Sequence, residues 1–229
     1  MLESGNQRGY ISAAAVGVLA ALLLLMAWPR MQAAWLFLPV EAALDKYFAG
    51  GGLQAVQYEP LMERARHAYS VHEDYRYLEG LSLLYYLRAI DETTYPWQRG
   101  PALYQAAAIG ADAVARNPIQ PATWLRIAQS RAALGGMEND VITALEMSIL
   151  TGRVEPGLLL QRLELAYAYL PVLSAETRTL VRDQTELAWR LQPRKLAKAM
   201  QEGRLDALRV KSVVGDMSPI FLESGEPRS

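Results

Sequence analysis

Apolar residues run almost unbroken from Ile11 to Trp28, interrupted only by Ser12 and Gly17, and no charge falls between Arg8 and Arg30. At about 1.5 Å per residue this is roughly 27 Å of helix, close to the hydrocarbon thickness of a bilayer. A helix satisfies its own backbone groups, which lipid cannot do. Residues 11–29 are therefore read as one transmembrane helix behind a leader, 1–10, with Trp28 at the interface and Pro29 ending the helix. The leucine block Leu22–Leu25 leaves no polar face for a soluble core helix. A cleaved signal peptide competes, but its apolar region is normally shorter, and the stretch Pro29-Arg30-Met31-Gln32-Ala33-Ala34 offers no good Ala-x-Ala site. Arg8, Arg30 and Lys46 do not decide the orientation by charge. A short leader before a single span favours an exported domain, periplasmic in a bacterium.

Residues 30–52 form a juxtamembrane segment. Met31–Phe48 is apolar on one side through Trp35, Leu36, Leu38, Ala42, Leu44, Tyr47 and Phe48. It reads as an amphipathic helix at the bilayer surface or, alternatively, as a contact with a second membrane protein. The Gly50, Gly51, Gly52 triplet then makes a joint. Beyond it, apolar periodicity near 3.6 punctuated by Pro and Gly predicts helices at 53–72, 74–90, 101–116, 121–134, 138–150, 157–170, 175–191 and 194–202. Pro101, Pro121 and Pro156 stand at predicted helix starts, and Gly135, Gly136 and Gly152 at ends. Leu159, Leu163, Ala166 and Leu170 make one stripe; Leu180, Gln184, Leu187 and Leu191 make the next. Alternating β-branched runs are absent. The expectation is an all-α domain at 53–211 with a tail at 212–229.

Composition narrows the chemistry. Of 229 residues, 52% are apolar, and the 23 basic and 24 acidic side chains nearly cancel, leaving no electrostatic footprint for nucleic acid. With no cysteine there is no thiolate nucleophile, disulfide framework or Cys-ligated metal, and two histidines exclude a three-His site. No Gly-x-Ser-x-Gly occurs, and the glycine triplet lacks the Gly-Lys-Ser/Thr of a phosphate loop. The best metal candidates are Glu63, His67, His72, Glu73 and Asp74. On a continuous helix His67 and His72 diverge by about 140°, and a solvated helix end carries such residues commonly. No catalytic, cofactor or metal site is therefore assigned.

Tyr75, Tyr77, Tyr85 and Tyr86, with Tyr95 and Trp97 in the ten-residue connection Asp91–Gly100, form the most aromatic region. Helix packing explains most of them; Tyr95 and Trp97, beside Pro96, lie outside helix periodicity and are taken as candidate partner contacts.

Ala106, Ala113 and Pro118, then Trp124, Ile127, Ala128 and Gly135, and later Ala188 and Pro193, carry a further pattern. It resembles the tetratricopeptide-repeat family, with Trp early in a first helix, Gly at the inter-helix turn, Ala late in the second helix and Pro after it. The match is clear over about 101–150; Asp140 stands where the family has a small residue, and the Asp91–Gly100 connection is longer than a regular repeat allows. The resemblance implies an α-solenoid of about three hairpins whose first helices line a groove, here through Ala122, Leu125, Gln129, Ala132 and Ala133. These are not the basic and amide residues of the family's carboxylate clamp. In the tail, Ile220, Phe221 and Leu222 either dock on the stack or meet a partner.

The candidate partner surface is thus Tyr95, Trp97, Leu125, Gln129, Ile220, Phe221 and Leu222. The functional expectation is a non-catalytic, membrane-anchored scaffold with a membrane-protein partner, no cofactor and no small-molecule substrate. By layout alone the chain is similar to small anchored repeat proteins of bacterial envelope polysaccharide and O-antigen assembly. An accessory subunit of a secretion, division or bioenergetic complex is the alternative.

Overall fold

The computed structural model describes the backbone of residues 3–207, 209 and 210, with side chains from Val16 onward. The described residues form α1 (Glu3–Lys46), a π turn (Tyr47–Gly51), α2 (Ala55–Val71), α3 (Tyr75–Ile90), α4 (Pro96–Arg116), α5 (Pro121–Ala133), α6 (Glu138–Thr151), α7 (Leu159–Ala168), a 3-10 turn (Leu170–Val172), α8 (Ala175–Leu191) and α9 (Pro193–Gln201). No strand occurs among them, so the all-α expectation holds.

The largest departure from expectation is at the start. α1 runs through both Pro29 and Pro39 instead of stopping at Trp28. A helical proline loses one amide bond and crowds the carbonyl four residues back, a local cost that packing can offset. Here the offset is visible. Ala33, Phe37 and Val40 are buried at helical spacing, with Leu36, Ala43, Leu44 and Tyr47 packed beside them against α2 and α3. Of the predicted apolar face, Leu36, Leu44 and Tyr47 thus join the helical domain's core, whereas Trp35, Leu38, Ala42 and Phe48 remain exposed. The upper part, beginning at Val16 among the described residues, remains long and apolar enough to cross a membrane.

At the end of α1 the chain reverses. Gly50 has φ 89° and Gly52 φ 64°, both in the left-handed region where a side chain is strained, so these glycines form a set turn between α1 and α2. Phe37 meets the Tyr77 ring at 4.9 Å between centroids, and its ring lies directly over Gly80. Tyr47, just past the end of α1, shares a cavity with Leu83, Tyr86 and Ile90 further along α3. Both contacts advance together, so α1 and α3 are parallel. The same holds for α3 and α5: Thr123 donates to Glu79 at 3.2 Å, and Arg126 one turn on donates to Ser82 Oγ at 3.2 Å.

Each helix contacts its successor from α1 through α7 into α8 and α9, and α3 also contacts α5, α6 contacts α8 and α7 contacts α9. The turns α2–α3, α4–α5, α6–α7 and α8–α9 are linked to one another. Arg116 pairs with Glu73 at 3.7 Å, Gly152 lies against the Pro121 ring, and Gln192 Nε2 donates to the Pro156 carbonyl at 2.6 Å. These four turns make one edge of the molecule. One core cluster joins α1, α2 and α3; a second runs from Val114 to Val210 through α5–α9.

Two other proline expectations are corrected. α4 begins at Pro96, not Pro101, because Pro96 already occupies the first helical position after Tyr95 and Pro101 is absorbed one turn inside. The expected ten-residue connection therefore shrinks to Asp91–Tyr95, and Trp97 lies in the first turn of α4. Pro156 precedes a turn and α7 starts only at Leu159. In the short α3–α4 turn, Asp91 accepts from Tyr58 OH at 3.1 Å, Thr93 N at 2.8 Å and Thr93 Oγ1 at 2.7 Å.

Adding a methyl group to Gly80 would place it 2.5 Å from Phe37 Cζ. Gly80→Ala should destabilise the fold by about 1–3 kcal/mol by levering α1 off α3, read as a lower denaturation midpoint by circular dichroism in mild detergent. Phe37→Leu in the same chain should recover part of that loss, since it vacates the clashing atom. Burial pushes the Asp91 carboxyl up, but the Thr93 and Tyr58 donors and Arg99 outweigh it and hold it below the ordinary carboxylate value. A depressed folded-state pKa stabilises fully above the unfolded value and is lost as pH falls through the folded one. The urea midpoint should therefore fall below about pH 4, and Asp91→Asn should lower the neutral midpoint while flattening that acid limb.

Candidate functional site

Parallel α3, α5 and α7 present their inner faces to one concave side. Tyr47 and Phe48, carried over from the end of α1, close one end of it. The resulting cavity has a volume of about 380 Å³, walled by Leu83, Tyr86, Leu87 and Ile90 of α3, Ala122, Leu125, Arg126 and Gln129 of α5, and Leu158, Gln161 and Glu164 at α7. Aliphatic and aromatic walls with a few convergent polar groups are the usual lining of a ligand-binding cleft.

Arg126 sits in the floor with 6% of its surface exposed. Its Nη1 donates to the Glu79 carbonyl at 3.1 Å and to Ser82 Oγ at 3.2 Å, and Ser82 Oγ in turn donates to the Ala106 carbonyl at 2.8 Å. Burial pulls the Arg126 pKa down to about 10, against the opposing pull of Glu79 and Tyr86. It is therefore still a cation at neutral pH. Burial likewise pushes the Tyr86 phenol up, with Arg126 opposing, so Tyr86 is neutral there. At the rim Gln129 Nε2 reaches Gln161 Oε1 at 3.4 Å, and Glu164 is taken by Arg204 at 2.6 Å.

A second buried arginine, Arg162, holds the far half together. It has no exposed surface, and it donates to Ser148 O at 2.6 Å, Ser148 Oγ at 3.0 Å, Gly152 O at 2.9 Å and Gln184 Oε1 at 3.1 Å. Two of those acceptors are carbonyls at the end of α6, where a helix leaves its last carbonyls without intrahelical donors and favours a cation. Desolvation draws the Arg162 pKa down to about 10, with Glu155 opposing.

No protein-family model, curated protein or solved structure matches this chain. The site must be read from its own residues.

Of the residues singled out from the sequence, Ala122, Leu125 and Gln129 line the cavity. Tyr95 and Trp97 do not. They stack on each other at 4.4 Å and 12° at the head of α4, and are 59% and 69% exposed. Ile220, Phe221 and Leu222 lie outside the described residues. Tyr77 is buried against Phe37, whereas Tyr86 faces the cavity. The acid and histidine group disperses. Glu63 pairs with Arg66, Glu73 with Arg116, and Asp74 caps α3 through Arg76 N at 3.0 Å and pairs with the Arg76 guanidinium at 2.9 Å. Among the described residues no three His, Asp or Glu side chains gather as a metal would need.

Sequence reasoning missed Arg126 and Arg162. Arg162 stands on an apolar stripe with Leu159, Leu163 and Ala166, and Arg126 on an inward stripe of Thr123, Ile127 and Ser130. That placement was the available signal. Arg162→Ala should cost about 3–5 kcal/mol, because it strands buried acceptors on α6 and α8. Arg162→Lys should recover little of it, since an ammonium cannot reproduce the planar fork. Denaturant midpoints of the three chains test both statements.

Proposed function

We propose that this chain is a non-catalytic, membrane-anchored helical scaffold, and that its concave cavity receives an apolar helix of a membrane-protein partner. The observation that carries the reading is the cavity itself, with aliphatic and tyrosine walls, two rim amides and one buried cation in the floor. An apolar helix fits the walls. A carboxylate or a helix C-terminus on it would answer Arg126, which has only neutral acceptors within hydrogen-bond distance. The one carboxylate of the lining, Glu164, is engaged by Arg204.

The architecture we propose is a short α-solenoid of tetratricopeptide type, built from hairpins α3–α4, α5–α6 and α7–α8. Its support is the sequential contact order and the position of Trp124, whose Nε1 donates to the Pro118 carbonyl at 2.8 Å and so ties the first turn of α5 to the end of α4. The apolar span supports an anchor, and an exported domain is part of the same proposal. A place in envelope polysaccharide assembly rests on layout alone, and a subunit of another membrane complex serves the same site.

The test is recovery of a partner from native membranes in mild detergent. Ala122→Trp fills the cavity from a half-buried position and should reduce a stoichiometric partner at least tenfold while leaving the fold's midpoint within about 0.5 kcal/mol, as substitutions outside packed cores usually do. Trp97→Ala, on the separate α4 patch, should leave recovery unchanged. A partner retained in full by Ala122→Trp and lost with Trp97→Ala would move the interface to the stacked pair and overturn the cavity reading.

A further inference from the structure

The direction of α1 also decides which edge of the domain meets lipid. Because α1 and α3 are parallel, the beginning of α3 points the same way as the apolar part of α1, and the α2–α3 turn lies on the membrane side. Tyr77 is level with Phe37, so Glu73 and Asp74, one turn earlier, are level with about Ala33. Ala33 is five residues past Trp28, or about 7–8 Å along the helix. The polar headgroup layer on each side of a bilayer is about 5–8 Å thick. The linked turns α4–α5, α6–α7 and α8–α9 continue the same edge through Arg116–Glu73, Gly152–Pro121 and Gln192–Pro156.

Resting on the anchored reading above, we propose that this edge of four turns is a lipid-contact surface seated in the headgroup layer. Its chemistry fits. Ile119 and Val154 project from successive turns, 70% and 63% exposed. Arg194 and Lys195 follow the last turn, where an anionic headgroup would meet them, while Arg153, beside Val154, pairs with Asp183. Glu73 and Asp74, the acidic residues nearest the span, are held by Arg116 and Arg76. On α1, Trp28 is 59% exposed at the depth where an indole ring is favoured, and Trp35, two turns further on, is 75% exposed. Exposed apolar side chains occur on the opposite edge too, as at Met137, and acidic residues on both, Glu155 on this edge and Glu92, Glu138 and Asp140 on the other. The direction of α1 selects the edge; exposure alone does not.

The chain has no cysteine, so single labels report cleanly. Ile119→Cys, Val154→Cys, Met137→Cys and Leu24→Cys are each introduced into the full chain, coupled to an environment-sensitive fluorophore and reconstituted in phosphatidylcholine–phosphatidylglycerol vesicles. Probes at 119 and 154 should be quenched several-fold more by a headgroup-level lipid quencher than by aqueous iodide, and the probe at 137 the reverse. Probes at 119 and 154 as open to iodide as the one at 137, with the probe at 24 still shielded, would overturn the lipid-contact edge and leave the anchor standing. A probe at 24 equally open to iodide would overturn both.

Discussion

The burial of Ala33, Phe37 and Val40 against α2 and α3 is the contact on which the rest of the structure depends. It makes the lower half of α1 a core helix of the domain, while the upper half stays apolar and uncovered. Without it α2 and α3 would expose Tyr58, Leu61, Met62, Ala65, Tyr77 and Leu81, all but buried now. A helix long and apolar enough to cross a bilayer is thus joined to the domain by packing, with no linker between them. The direction of every later helix is counted from that one.

Polar chemistry inside the domain is structural in character and concentrated in two arginines. Arg126 and Arg162 are buried, and each is satisfied by carbonyls, hydroxyls or an amide oxygen. The acceptors within hydrogen-bond distance are neutral, and the carboxylates of Glu79 near Arg126 and Glu155 near Arg162 act on them without a direct ion pair. At Arg162 the acceptors come from α6 and α8 as well as the turn after α6, so one side chain fixes three elements. At Arg126 the floor of the cavity retains a positive charge that a bound segment can use. The same device holds three elements together at Arg162 and places a guanidinium in the cavity lining at Arg126.

Much of this was legible from residue pattern. The apolar run from Ile11 to Trp28, the bounds of α8 and the presence of Leu125 and Gln129 in the cavity follow from periodicity and from the Trp124 register. What escaped has a common cause. Pro29, Pro101 and Pro156 were read by their local backbone cost, whereas the outcome depended on packing or on a second proline, Pro96, better placed to begin the helix. The two arginines were not singled out, although Leu159, Leu163 and Ala166 around Arg162 marked that stripe as inward. Tyr47 and Phe48 were placed with the juxtamembrane segment because nothing local shows that the chain folds back there to close the end of the cavity. Local rules described the helices; long-range contact decided their ends and their neighbours.

Tyr47 and Phe48 have one further consequence. They follow directly on the last turn of α1, so the mouth of the cavity is mechanically coupled to the apolar upper half of the same helix. A membrane-spanning helix accommodates a thinner or thicker bilayer by tilting. If that half spans a bilayer as proposed, a tilt imposed by lipid thickness would be passed to the two aromatic rings through the packed contact of Phe37 on Gly80.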